Sequence, residues 1–174
     1  MKTKLLSSVL ALALAASTAP LFARAPQGDL GDAVRHELVM LPYYNVFDDL
    51  GYQVDGSTVI LTGDVTRPVL KSDAGNAVKR IPGVTNVVNN IRVLPLSPFD
   101  NQTRIAVYRS VFSFGGLYRY AMGAIPSIHI IVDNGHVTLK GVVDNEGDKN
   151  LAYIRANGVP GVFSVTNELR VAEK

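Results

Sequence analysis

GVTNVVNNIRV (residues 83–93) returns near the end of the 174-residue chain as GVFSVTNELRV (161–171). Gly, Val, Val, Asn, Arg and Val keep their places in both stretches. Extending the match toward the N-terminus without a gap sets residues 55–93 on residues 133–171, a shift of 78 positions. DGSTVILTGDV then meets DNGHVTLKGVV, and 14 of the 39 aligned positions are identical. A match of that kind marks a tandem duplication, and an internal repeat outranks any local reading of the fold.

Each copy reads as the same series of elements. Val59, Leu61 and Val65, like Val137, Leu139 and Val143, lie on β-branched-rich stretches that predict strands. Tyr52-Gln-Val and Ile128-His-Ile-Ile-Val predict the strands before them, with Asp55-Gly56 and Asn134-Gly135 as tight hairpin turns. Thr66 and Asp144 follow as helix caps. Ala74, Ala77, Val78 and Ile81 recur at helical spacing, as do Ala152, Arg155, Ala156 and Val159, and Pro82-Gly83 and Pro160-Gly161 stop both helices. The last strand alternates as Val87, Asn89, Ile91, Val93. Its Asn, repeated at Asn167, is expected to be structural and to bond backbone groups, since an unsatisfied buried amide costs about 1–3 kcal/mol. A further helix precedes each hairpin, carried by Ala33, Val34, Glu37, Leu38 and Leu41 in one copy and by Ile105, Ala106, Arg109, Val111 and Phe112 in the other.

The fold class is therefore α+β: two tandem α-β-β-α-β units, 28–95 and 101–172. Each should be a small three-stranded mixed sheet, its helical crossover making strand three parallel to strand two, with both helices on one face. The linker is 96–100, and the stretch around it, Leu94 to Asp100, is short and twice stiffened by proline, which favours two units packed together.

Gly135-x-Val-x-Leu-x-Gly-x-Val143, a helix, then Gly161-Val-x-x-Val-x-Asn-x-Leu-x-Val171 resembles the BON domain. In the first copy Ser57 replaces the first glycine. The resemblance covers residues 28–172. It implies an exported or envelope protein without enzymatic activity that contacts phospholipid surfaces or partner proteins, and it implies no cofactor.

Composition bounds the function from another side. Residues 1–25 hold Lys2, Lys4 and Arg24 and no acid, so the remaining chain has 14 bases against 15 acids, a net of −1. A near-neutral body argues against a general nucleic-acid binder, which needs a basic face. Lys2 and Lys4 before the apolar run Leu5–Ala16 read as a signal peptide over 1–25, since 12 helical residues rise only about 18 Å. Ser17-Thr18-Ala19 and Ala23-Arg24-Ala25 offer cleavage sites, although proline follows each; an uncleaved anchor from Leu5 to Ala23 is the rival reading. With no cysteine the product carries neither disulfides nor a lipoprotein anchor, so a periplasmic location is expected.

Chemistry-bearing clusters are sparse. His129 and His136 share a strand face but lie on the order of 13 Å apart, too far to share a metal, and His36 belongs to the other copy. Asp144–Asn150 alternates acids and amides as a calcium loop does, yet Lys149 and Arg155 stand where glycine and glutamate belong. What remains is the aromatic segment 112–125, longer than its counterpart 41–50. Tyr118, Arg119 and Tyr120 are its expected binding residues, because tyrosine and arginine suit both protein interfaces and lipid headgroups. The expected ligand is an anionic phospholipid surface; the alternative is an envelope protein, with this chain as adaptor or holdase.

Overall fold

The structure, a computed structural model, describes residues 27–113, 115–123 and 125–173. The expected signal segment lies outside the described residues. The first unit runs α1 (Gln27–Val39), β1 (Asp49–Asp55), β2 (Thr58–Val65), α2 (Pro68–Lys79), β3 (Asn86–Asn89) and β4 (Arg92–Val93). The second runs α3 (Pro98–Phe112), a 3-10 turn (Tyr118–Ala121), β5 (Ile128–Asp133), β6 (His136–Val143), α4 (Glu146–Asn157) and β7 (Ser164–Val171). Both are α+β units with the expected topology. β1 pairs antiparallel with β2 and β5 with β6, and the helical crossovers lay β3 and β4 parallel to β2, and β7 parallel to β6. β3 and β4 together occupy the place of β7, broken at Asn90-Ile91.

Each unit has its own apolar core. Val34, Leu38, Val59, Leu61, Leu70, Val78 and Ile91 fill the first. Val107, Val111, Ile130, Leu139, Ala152 and Leu169 fill the second, which also takes in Val46 from the first copy. Asn89 and Asn167 bond as expected. Their Nδ2 groups donate to the carbonyls of Lys71 (2.7 Å) and Lys149 (3.0 Å), and their Oδ1 atoms accept the amides of Ile91 and Leu169.

The repeated glycine of the second strand has a steric reason. Gly63 and Gly141 sit at φ +118° and +116°, and an added Cβ would lie 2.1 Å from the Asp49 carbonyl oxygen or 2.0 Å from that of Ser127. No side chain fits there, so both copies keep glycine.

Four local expectations are corrected. The first hairpin turn is Gly56-Ser57, because Asp55 pairs with Thr58; only the second, Asn134-Gly135, has the expected residues, both at positive φ. The helix caps fall one residue later than Thr66 and Asp144. Pro68 at the first turn makes Arg67 the N-cap of α2, and Asn145 caps α4 by accepting the Asp148 amide at 2.9 Å. Pro98, Phe99 and Asp100 belong to the first turn of α3 rather than to the link, with Ser97 as cap. Finally, α3 is rotated. Ile105 and Arg109 face outward, while Asp100, Thr103, Arg104, Val107 and Val111 face inward.

Two of those inward polar residues hold backbone of the next element. The Asp100 carboxylate accepts the amides of Asn134 (3.0 Å) and Gly135 (2.8 Å), tying the hairpin tip to α3. Arg104 donates through Nη2 to the Val132 carbonyl at 2.7 Å. The units also touch one another. The Ile130 amide donates to the Val46 carbonyl (2.8 Å), Lys140 Nζ pairs with Asp49 (2.9 Å), and Arg92 bridges Asp64 and Asp133 (2.6 and 2.5 Å). Val46 and Arg104 thus cover the outer edge of β5.

Candidate functional site

Val34 and Leu38 of α1 correspond to Val107 and Val111 of α3 in burial, a register of 73 rather than 78. The second copy therefore carries five extra residues between its first helix and its hairpin. They build the aromatic segment that the sequence singles out.

Leu117 and Tyr120 are the anchors of that segment, both buried. The Tyr120 hydroxyl donates to Asp148 (2.7 Å) and accepts the Asp144 amide (2.9 Å). Burial, before any hydrogen bond, holds this hydroxyl above its usual pKa. Arg119 lies with its guanidinium 4.7 Å from the Tyr120 ring centre. Its Nε donates to Asp144 (2.9 Å), Nη1 to the Gly116 carbonyl (2.9 Å), and Nη2 to the Tyr120 hydroxyl (3.0 Å) and to Asp148. The acids and amides of 144–150 are thus a helix cap answered by an arginine. Their negative charge also suits the positive end of α4.

The three expected site residues have different places. Tyr120 is internal, with 5% of its surface exposed, and Arg119 is exposed yet paired with Asp144 and Asp148. Tyr118 is 59% exposed, with Met122 also exposed nearby in sequence. Tyr118 lines an open groove of about 390 Å³ with Tyr108, Arg109, Phe112, Ser113 and Gly115. Tyr108 packs on Phe112 at 4.9 Å between ring centres and meets Phe47 of the first copy edge-on at 6.2 Å, so one groove wall leans on the other unit. Groove and loop together offer apolar aromatic area beside two exposed arginines, Arg109 in the groove and Arg119, whose charge is answered by Asp144 and Asp148. This arrangement suits binding rather than bond-breaking.

The histidines are placed apart. His36 is exposed on α1, His136 shares a 2.7 Å hydrogen bond with Ser164 Oγ, and His129 is buried against Tyr44. Among the described residues, no group of three or more His, Cys, Asp or Glu is placed to hold a metal.

Sequence reading missed residues that join the copies, among them Tyr44, Val46, Asp49 and Lys140. One signal for them was available. Ile128-His-Ile-Ile-Val lacks the alternation of Leu50-Gly-Tyr-Gln-Val, and such a run marks a strand buried on both faces. β5 is buried along Ile128–Val132, whereas no residue of β1 is fully buried and Gln53 and Asp55 are exposed.

A search of curated proteins finds no match. Among solved structures, the C-terminal domain of CdsD, the structural protein of the type III secretion system of Chlamydia trachomatis, aligns with 13% identity and a TM-score of 0.34. That alignment covers 86% of this chain and 100% of the other. A second CdsD structure aligns at 14% identity and a TM-score of 0.32, over 83% of this chain and 94% of the other. The family model for the BON domain matches residues 30–95 and 122–173, its second match beginning just past the 3-10 turn. With both units matched, and the repeated glycine and asparagine explained by the fold, the chain belongs to the BON domain family.

Proposed function

We propose that this chain is a non-catalytic binding protein, exported to the periplasm, which contacts anionic phospholipid surfaces of the envelope through the aromatic groove of its second copy. The family is generally non-enzymatic and occurs in exported envelope proteins, which supports the first half. Among the described residues no helix is long and apolar enough to cross a membrane. The observation that carries the second half is Tyr118, exposed at the mouth of a groove that also holds Arg109. An amphipathic ring beside a cation matches the chemistry of a headgroup layer. Arg119 and Tyr120 serve this surface indirectly, by fixing the turn that presents Tyr118.

One observation favours a second reading, a protein-protein adaptor. The Arg119 guanidinium is neutralised by Asp144 and Asp148, which leaves little free positive charge for lipid. Vesicle co-sedimentation of the protein separates the two. With phosphatidylglycerol in the vesicles, binding is expected to fall as salt rises and the Debye length drops below about 8 Å. An Arg109→Glu/Tyr118→Ser variant, which leaves the Arg119 bonds untouched, is expected to lose it. Equal sedimentation of variant and wild type, or none with either, would remove the lipid reading and leave the adaptor.

A further inference from the structure

We propose that the seam between the two copies is an acid-sensitive clasp, in which protonation of His129 releases the 44–48 segment of the first copy from strand β5 of the second. His129 stands on β5 beside the point of contact, one residue from Ile130, whose amide donates to Val46. Its ring is stacked on Tyr44, with 5.6 Å between centres and 21° between planes, and only 8% of the residue is exposed. Its Nδ1 is buried and has no hydrogen-bond partner among the described residues. A second proton on the ring would therefore enter a buried site, where the backbone of Asp48 and Asn45 is the nearest source of acceptors.

The charged groups around His129 come from every side and are already engaged. On the segment from the first copy, Asp48 is fully buried and accepts from the Thr66 amide (2.6 Å), the Thr66 hydroxyl (2.8 Å) and the Asn45 amide (3.2 Å). Asp49 holds Lys140, and Lys140 stands directly across the strand pair from His129. Glu168 of β7 is 3.8 Å from the same Lys140. Tyr44 supplies a hydroxyl that burial keeps protonated. Asp48 and Asp49 are thus already bonded elsewhere, and the residue paired across the strands from His129 is itself a cation, Lys140.

Burial, the largest influence, pulls the His129 pKa below its ordinary value of 6.5; the backbone of Asp48 and Asn45 and the charges of Asp49 and Asp48 pull upward and lose. The released form titrates near 6.5 and binds more protons than the clasped form. The clasp is accordingly at full strength above pH 6.5 and weakens as pH falls through the window down to the depressed pKa. A single linked proton changes the equilibrium by up to about tenfold per pH unit in that window.

Amide hydrogen exchange on the whole protein reads this directly, corrected for the intrinsic pH dependence of exchange. Ile130 reports the clasp, and Val142, bonded to Ser127 inside the second copy at 3.0 Å, is the internal control. Between pH 7.5 and 5, Ile130 is expected to lose protection progressively, by up to about tenfold per pH unit below 6.5, while Val142 keeps its own and far-ultraviolet circular dichroism stays constant. His129→Phe, which keeps the stacked ring and removes the titration, is expected to show flat Ile130 protection; His129→Gln serves if the first variant fails to fold. The proposal is overturned if wild-type Ile130 protection does not change, if Ile130 and Val142 fall together, or if the folded variant loses as much as wild type.

Discussion

The same stretch of chain, between first helix and hairpin, does opposite things in the two copies. In the first it is short and turned inward, toward the other unit: Tyr44, Val46 and Asp49 all touch the second copy. In the second it is five residues longer, anchored on its own core by Leu117 and Tyr120, and it presents Tyr118 and Met122 to solvent. Both versions still have to supply one thing, an acceptor for the backbone amide just past the second strand. Asp48 takes the Thr66 amide, and the Tyr120 hydroxyl takes the equivalent amide of Asp144. Duplication preserved the demand of the fold and left each copy free to meet it with a different side chain.

The largest effect should come where the copies agree. Gly63→Ala and Gly141→Ala each drive a Cβ into a carbonyl oxygen of the neighbouring strand. Each is expected to cost about 3–5 kcal/mol in urea denaturation, at the limit of what a single substitution does. A cost below 1 kcal/mol in one copy would mean that its hairpin closes differently from its twin.

Next come the two divergent acceptors. Asp48→Ala strands three buried or half-buried donors and should destabilise by about 2–3 kcal/mol, whereas Tyr120→Phe keeps the ring and should cost about 1–2 kcal/mol. Thermal unfolding of the pair tests whether a carboxylate and a phenol do equivalent work. A larger loss for Tyr120→Phe than for Asp48→Ala would reverse the order.

The smallest effect belongs to the ion pairs between the copies. Arg92 is more than half exposed, so Arg92→Ala should cost less than about 1 kcal/mol and lose even that in high salt. A loss of several kcal/mol would place the strength of the seam in charge rather than in the packing of Tyr44, Val46 and His129.

What the sequence revealed follows the same division. Repeated residues, such as Gly141, Asn167 and the Pro160-Gly161 stop, are answered within their own copy, so periodicity and spacing expose them. Residues that answer a distant group stay hidden. Arg104 looks like a solvent-facing helix charge until the Val132 carbonyl is seen beneath it. That substitution of a polar contact for an apolar one is why the apolar Ile105 was expected inside and lies outside. Arg119 and Tyr120 read as a free aromatic-basic pair because the acids that bind them lie 25–29 residues further on. The groove at Tyr118 was legible as an aromatic run but not as a shape.

The Val46–Ile130 bond joins positions more than eighty residues apart, across an entire folding unit. Closing so long a loop is entropically slow compared with forming either hairpin. Each copy can complete its own sheet first, and the joint between them is then the last contact to be made. Until β5 is in place the first copy holds Tyr44 only partly against its own core and leaves Val46 uncovered. The second copy is, for its sibling, an intramolecular chaperone: it hides an apolar segment that the first cannot hide for itself.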